Sequence, residues 1–180
     1  VERSRLPRLF RNKGYRYEGM IHEQISPSLQ ASHARRMMAD LVIVHHGYQQ
    51  ETVQGGDLRF TRNMNLLKKQ IAECPEDFYY LYHLALMHKM KDPKQSELLF
   101  AQVLEKGGAE IPDSLRGQVH MRLAQLALER EDHTAVVNNC KQSLRFEPDN
   151  VISKVCQISS LCAMNAFNQA AISIKDVIDH

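Results

Sequence analysis

The feature that most constrains this chain is a helical spacing of apolar residues that returns in three successive units of its second half. Leu84-Ala85 and Leu123-Ala124 hold the same place in two units, and Phe167 and Ala170 continue the phase in a third. Each unit has apolar residues three and four positions apart, which is typical of amphipathic helices. One helix pair does not bury its apolar face alone, so the pattern predicts stacked pairs that share a core.

Proline closes the middle unit at Pro148, where it stops the second helix before the next unit begins. Helix–turn–helix units of about 34 residues that end in proline resemble tetratricopeptide repeats. The resemblance implies a mainly α fold, a tetratricopeptide-like α–α superhelix. A generic helical bundle with accidental phasing is the alternative. The predicted boundaries are a half repeat at 62–77 and repeats at 78–112, 113–150 and 151–180.

The first fifty residues are of a different kind, with glycine, proline and β-forming residues and little helical spacing. A polar loop and a short helix are expected within 26–39. Three strands are too few to bury a core alone, so residues 1–50 look like a small β-containing fragment of a larger sheet domain. Residues 51–61 are interpreted as a linker, with Gly55-Gly56 as its flexible break. The strands are predicted at 6–12, 15–23 and 41–45.

Four short motifs in this part occur in a fixed order. Together they resemble the carboxyl end of bacterial family 2 glycosyltransferases fused to tetratricopeptide repeats. The resemblance implies a fragment of a GT-A type α/β domain that transfers a sugar with inversion, using a nucleotide sugar and a divalent metal, Mn or Mg. The motifs are Pro7-Arg8-Leu9-Phe10-Arg11, Ile21-His22-Glu23, His45-x-Gly47-Tyr48 and Arg62-Asn63-x-x-Leu66-Leu67.

The Asp-x-Asp motif that holds the metal in that family is missing from the strand-forming part of this sequence. The catalytic half is therefore expected upstream in the natural protein, and this chain alone is predicted to be inactive. His22 is a candidate metal ligand or diphosphate contact in the intact enzyme, because imidazole joins carboxylates around manganese. Glu23 and His45 are candidate catalytic residues. The alternative for each is structural: a hydrogen-bonded strand end, an anchor for a nearby arginine, or a strand cap.

The resemblance also implies a concave groove lined by the first helix of each repeat. We expect it to bind a protein or peptide, or a glycan or glycoprotein acceptor. Lys89 is the only cation among its predicted positions, which argues against acidic tails as ligands. The apolar last repeat predicts packing against a further helix, an apolar segment or a second copy, as in a homo-oligomer. The groove positions are Tyr79, Tyr82, Leu86, Lys89, Gln118, Met121, Gln125, Leu128, Ile152, Val155 and Ser159, with Cys162 at the end.

Charge and cysteine content exclude some other classes of function. With 23 basic and 21 acidic residues the net charge is +2, which gives no footprint for nucleic acid. No apolar run is long enough for a transmembrane segment, and no signal peptide is visible. The four cysteines form no C-x-x-C pair and have apolar neighbours, so buried thiols and a cytoplasmic location are expected.

These observations predict the repeat-containing portion of an inverting glycosyltransferase. In the intact protein the N-terminal strands would complete the sugar-transfer site, and the repeats would hold the acceptor or mediate assembly. The alternative is a non-enzymatic scaffold that binds other proteins through the repeats.

Overall fold

The computed structural model describes residues 9–21, 23–35, 37 and 53–178, and within them the chain is mainly helical. It divides into two compact units, Val1–Glu73 and Cys74–His180. The eight helices of the described residues are α1 Ser26–Ala31, α2 Val53–Glu73, α3 Phe78–His88, α4 Pro93–Gly107, α5 Asp113–Glu129, α6 His133–Phe146, α7 Val151–Ala163 and α8 Phe167–Ile178.

The first unit contains a short chain reversal tied to α2. Glu18 and Gln24 exchange two backbone hydrogen bonds of 3.0 and 2.9 Å, which form an isolated antiparallel bridge. At the tip of this reversal the Met20 backbone N–H donates to the Gln70 Oε1 of α2, at 2.8 Å. Burial of apolar side chains completes the unit's small interior. The buried residues are Ile21, Ile25, Leu29, Met64 and Leu67.

The strand predicted at 15–23 is wrong, because the structure has only the single bridge there. Gly19 has a φ of +99°, a conformation that turns the chain and that glycine adopts without steric cost. Residues 9–12 are likewise irregular, which contradicts the described part of the strand at 6–12. The short helix expected within 26–39 is confirmed as α1. The strand at 41–45 lies outside the described residues.

The segment interpreted as a linker, 51–61, is helical from Val53 onward. Helix α2 continues through Gly55-Gly56 to Glu73, so no break separates the linker from the half repeat at 62–77 within the described residues. Residues on one side of this helix are buried, at the three-residue spacing of Met64, Leu67 and Gln70. That spacing is the apolar stripe of an amphipathic helix, with one polar member that bonds to the chain reversal.

The second unit consists of three helix pairs, and each predicted repeat contains one of them: α3–α4, α5–α6 and α7–α8. Helices α3, α4, α6 and α7 each start at a side chain that caps the first turn. Asp77, Asp92, Asp132 and Asn150 accept hydrogen bonds of 2.9–3.0 Å from backbone N–H groups two or three residues later. Short loops then connect helices that pack on each other, which makes each pair an antiparallel hairpin.

Successive hairpins also pack on one another. Helix α4 contacts α5, α6 contacts α7, and the first helices α5 and α7 touch directly. Within the middle hairpin, small side chains line the contact between α5 and α6. The central cluster consists of Ala124, Ala127, Val136 and Cys140. In the part of the chain that the structure describes, no helix combines the length and the apolar character needed to cross a membrane.

The expectation of buried thiols is wrong for two of the four cysteines. Cys140 is buried and Cys156 is half-buried, but Cys74 and Cys162 are exposed at helix ends. None of the four cysteines is joined in a disulfide. Burial raises the pKa of Cys140 to about 12, with a smaller contribution from nearby Cys156, so its thiol stays protonated and acts as a small core residue.

Candidate functional site

Long side chains at α3 and α5, the first helices of two successive hairpins, meet at positions that the sequence assigned to a groove. The Tyr82 hydroxyl donates to Gln118 Oε1 at 3.2 Å. Two turns further along, Lys89 Nζ donates to Gln125 Oε1 at 2.9 Å. Both pairs join residues 36 positions apart, so one repeat's first helix is in register with the next. These four side chains form two polar contacts between the two helices, and we call the set of four the α3–α5 strip.

Sequence reasoning missed a second cation in this strip. Arg122 Nη1 donates to Gln125 Oε1 at 3.2 Å, so Arg122 and Lys89 share one neutral amide oxygen. Arg122 Nε is buried and has no hydrogen-bond partner among the described residues. The three-residue spacing of Arg122 and Gln125 on a helix was the available signal. Because two cations converge here, the argument against acidic ligands, which rested on Lys89 alone, no longer holds.

An aromatic cluster borders the strip at the start of α3. The rings of Tyr79 and His83 meet edge to face with centroids 4.5 Å apart, and Tyr79 makes a similar contact with Tyr80 at 5.6 Å. Tyr82 packs against Phe100, a fully buried side chain of α4, at 5.8 Å. Such contacts hold large rings in fixed orientations. The aromatic end of the surface is therefore anchored to the core of the first hairpin.

The predicted groove residues differ in how far the fold covers them. Tyr82 and Met121 are buried, while six others on α3 and α5 are half-buried: Tyr79, Leu86, Lys89, Gln118, Gln125 and Leu128. By contrast, the α7 residues Ile152, Val155 and Ser159, and Cys162 at the end of that helix, are exposed. The surface thus changes from polar and hydrogen-bonded on α3 and α5 to open and largely apolar on α7.

Of the three residues proposed for sugar transfer, only Glu23 lies within the described part of the chain. His22 and His45 lie outside the described residues. Glu23 is exposed in an irregular segment. Among the residues that the structure describes, no group of three or more histidine, cysteine, aspartate or glutamate side chains converges to hold a metal ion. The described residues thus contain no constellation on which a metal-dependent step can be argued.

A second polar contact links α5 to α6 through hydrogen bonds that hold the two helices of the middle hairpin together. His120 Nδ1 lies 3.1 Å from Asn139 Oδ1, and the Asn139 amide in turn donates to the backbone carbonyl of Ala135. Burial lowers the pKa of His120, and the charge of Arg116 adds to this, while the Asn139 contact acts in the opposite direction. The pair joins the two helices of one hairpin, and neither His120 nor Asn139 is among the predicted groove positions.

Comparison of the sequence with known protein families and curated proteins found no match. None of the protein-family models searched matches the chain, and no curated protein matches it.

Proposed function

We propose that the second unit is a protein-binding stack of tetratricopeptide type, whose ligand is an extended protein segment lying along α3, α5 and α7. The observation that carries this proposal is the register of the α3–α5 strip. Two hydrogen bonds between residues 36 positions apart join the first helices of neighbouring hairpins. A repeat of that length, with first helix beside first helix, produces an elongated surface suited to a chain rather than to a small molecule.

The chemistry of the surface fits a peptide backbone. Gln118 and Gln125 carry amides, which both donate and accept hydrogen bonds as a peptide group does. Lys89 and Arg122 add two positive charges next to each other. The exposed α7 residues Ile152 and Val155 offer apolar contact further along the same surface. This mixture of amides, charge and apolar area is suited to an extended segment that presents backbone and side chains alternately.

We place this surface, as a proposal, in a family 2 glycosyltransferase, where the bound segment would belong to a protein or glycoprotein acceptor. The support is the ordered motif set of the sequence. In this proposal the helical unit binds the acceptor, and the nucleotide sugar and divalent metal are held by the remainder of the transferase domain. We expect calorimetry of this chain with nucleotide sugars and manganese to show no specific heat of binding. Sub-millimolar binding would contradict that division of labour.

Peptide binding is tested by selection from a phage-displayed library of random linear peptides on the immobilised chain. Recurrent peptides are then synthesised, and their affinity is measured by fluorescence anisotropy. Gln125→Ala removes the oxygen shared by Lys89 and Arg122 and should weaken binding at least about tenfold. Gln102→Ala is the matched control, because Gln102 is an exposed glutamine of the second helix α4. It should leave the affinity unchanged.

The outcomes separate the candidate ligands. A library that yields no recurrent peptide, or equal losses in both glutamine variants, would overturn the proposal. If peptides fail while an oligosaccharide array gives binding that depends on Gln125, the ligand class is a glycan acceptor. Peptide binding without any transferase activity in the intact protein would favour the pure scaffold.

A further inference from the structure

The first helices of the second unit differ from the rest of that unit in how charge is distributed. Helices α3 and α7 contain no aspartate or glutamate, and the two acidic residues of α5 are its first and last, Asp113 and Glu129. The other acidic residues of the unit that the structure describes lie in second helices and connections, where several cap a helix or pair with a surface cation. Cations on the first helices therefore have few acidic neighbours.

Two cations of the first helices meet at one neutral oxygen. Lys89, which ends α3, donates from Nζ to Gln125 Oε1 at 2.9 Å, and Arg122 donates from Nη1 to the same oxygen at 3.2 Å. Like charges at such short range repel each other, and a neutral amide oxygen does not cancel that repulsion. Neither cation forms an ion pair within the described residues, although the exposed Glu129 lies one turn beyond Gln125. We call Lys89 and Arg122 the cation pair.

A second arginine shows what is unusual about Arg122. Arg145 on α6 makes the same contact with a glutamine three residues away, from Nη1 to Gln142 Oε1 at 3.2 Å. Because Arg145 is exposed, water satisfies its remaining N–H groups. Arg122 is half-buried, and its Nε is excluded from solvent without a hydrogen-bond partner in the described part of the chain. A charged group with so few acceptors costs free energy, and an anion bound beside it would offset that cost.

The spacing of the cation pair indicates which anion it takes. A carboxylate presents two oxygens from one small group, so one oxygen can accept from Lys89 and the other from Arg122. Hydrogen bonds between charged partners are about twice as strong as neutral ones. A neutral amide in the same place would leave the repulsion between the two cations unchanged. The pair therefore favours a carboxylate over the amide of the same shape.

We propose that the cation pair binds the side-chain carboxylate of an aspartate or glutamate in the protein segment that lies along α3 and α5. This inference rests on the proposed peptide-binding function and adds the chemistry by which the ligand is selected. It also reverses the expectation from the sequence that acidic segments are poor ligands, which counted Lys89 as the only cation. Complementary charge of this kind contributes mainly to specificity and to the rate of association.

Recurrent peptides from the random library, synthesised with both ends blocked, test the proposal by fluorescence anisotropy. Blocked ends remove the terminal carboxylate, so every negative charge comes from a side chain. We expect the peptides to share an acidic position. Replacing that residue by its amide should weaken binding at least about tenfold. The loss should shrink as the salt concentration rises, because salt screens exposed charges.

Two pairs of variants locate the effect on the chain. Lys89→Met and Arg122→Met should each weaken binding of the acidic peptide, and in each the amide replacement should then cost much less than tenfold. Lys94→Met and Arg145→Met are the matched controls, because Lys94 is an exposed lysine of α4 and Arg145 makes the same glutamine contact on α6. Both controls should bind like the wild type. Lys89 lies at the end of α3, so its variant keeps the test independent of any folding defect in Arg122→Met.

The outcomes separate this proposal from the peptide-binding function on which it rests. Recurrent peptides that depend on Gln125 but tolerate the loss of every acidic residue would overturn the carboxylate site and leave peptide binding standing. Equal losses in the cation-pair variants and their controls would also overturn it, as would binding of acidic oligosaccharides alone. A library that yields no recurrent peptide would overturn both proposals together.

Discussion

The hairpin α3–α4 and the hairpin α7–α8 are built on the same plan, yet they differ in how much of their apolar surface is buried. In α4, Phe100 and Val103 are fully buried, and α4 packs on α5. In α8, Ile174 and Val177 hold the same positions and are about two-fifths exposed. The comparison shows that apolar residues at equivalent positions of two second helices are buried to different degrees within the described residues, and that α4 is covered there by the hairpin it packs on.

The sharpest way to break this comparison is to truncate the large side chain at the eighth residue of both helices. Phe100→Ala should lower the free energy of unfolding by about 3–5 kcal/mol, because it opens a cavity in a closed core. Ile174→Ala should cost much less, since Ile174 already contacts water. Urea unfolding at low protein concentration measures both. Equal losses would mean that the two hairpins are packed alike.

The contact between a second helix and the hairpin that follows it is tested where α6 packs on α7. Ser153 Oγ donates to Ser143 Oγ at 2.9 Å, and both side chains are fully buried. Ser153→Ala should destabilise the fold by about 1–2 kcal/mol, because it leaves the Ser143 hydroxyl buried without its partner.

The double variant Ser143→Ala with Ser153→Ala should cost less than the sum of the single changes, since neither hydroxyl is then left unpaired. Thermal unfolding of all four proteins completes the cycle. Strict additivity would contradict a direct bond between the two helices.

A smaller effect is expected at His120, within the middle hairpin. Because its pKa is lowered in the fold, the unfolded chain binds more protons once the pH falls toward the ordinary value of 6.5. The neutral ring therefore contributes stability above that pH, and this contribution is lost as the pH falls through the lowered pKa.

The measurement is the thermal midpoint of the wild-type chain and of His120→Gln at pH 7.5 and at about pH 5. The variant should lose less stability on acidification than the wild type. A drop in midpoint that is identical in both proteins would show that His120 does not contribute.

The smallest effect concerns the surface contact between the first two hairpins. Arg130 donates to both carboxylate oxygens of Glu97, at 2.7 and 3.0 Å, and both side chains are about two-fifths exposed. Glu97→Gln should cost only about 0.2–1 kcal/mol, and the loss should shrink in high salt. Comparing unfolding in low and high salt measures it. A larger, salt-independent loss would mean that this pair joins the hairpins more strongly than a surface ion pair does.

Much of the helical unit was accessible from the sequence, because apolar spacing and caps act locally. Asp92 before Pro93 and Asp132 before the next apolar stripe mark helix starts by chemistry that needs no tertiary contact. The different burial of Phe100 and Ile174 was not accessible, since both residues are apolar and only the contacts among the described residues distinguish them. Arg122 was missed for a similar reason, because the repeat frame predicts which helix face is concave but not where a long side chain ends.

The strand predictions for the N-terminal part were wrong for a different physical reason. A run such as 15–23 has the composition of a strand, but a strand exists only where another strand pairs with it. Here the partner is the chain's own next turn, reversed at Gly19, and pairing stops at Glu18 and Gln24.

Whether α3 and α5 together form a peptide-binding surface, as we propose, is tested most directly by an amide NMR titration. The chain, labelled with ¹⁵N, is titrated with a peptide selected from the random library. We expect the largest shifts on α3 and α5, around Tyr82, Lys89, Gln118 and Gln125, and we expect them to extend to α7. Amides of the second helices α4 and α6 should change little. Shifts concentrated on α4, α6 or α8, with α3 and α5 unmoved, would contradict the claim.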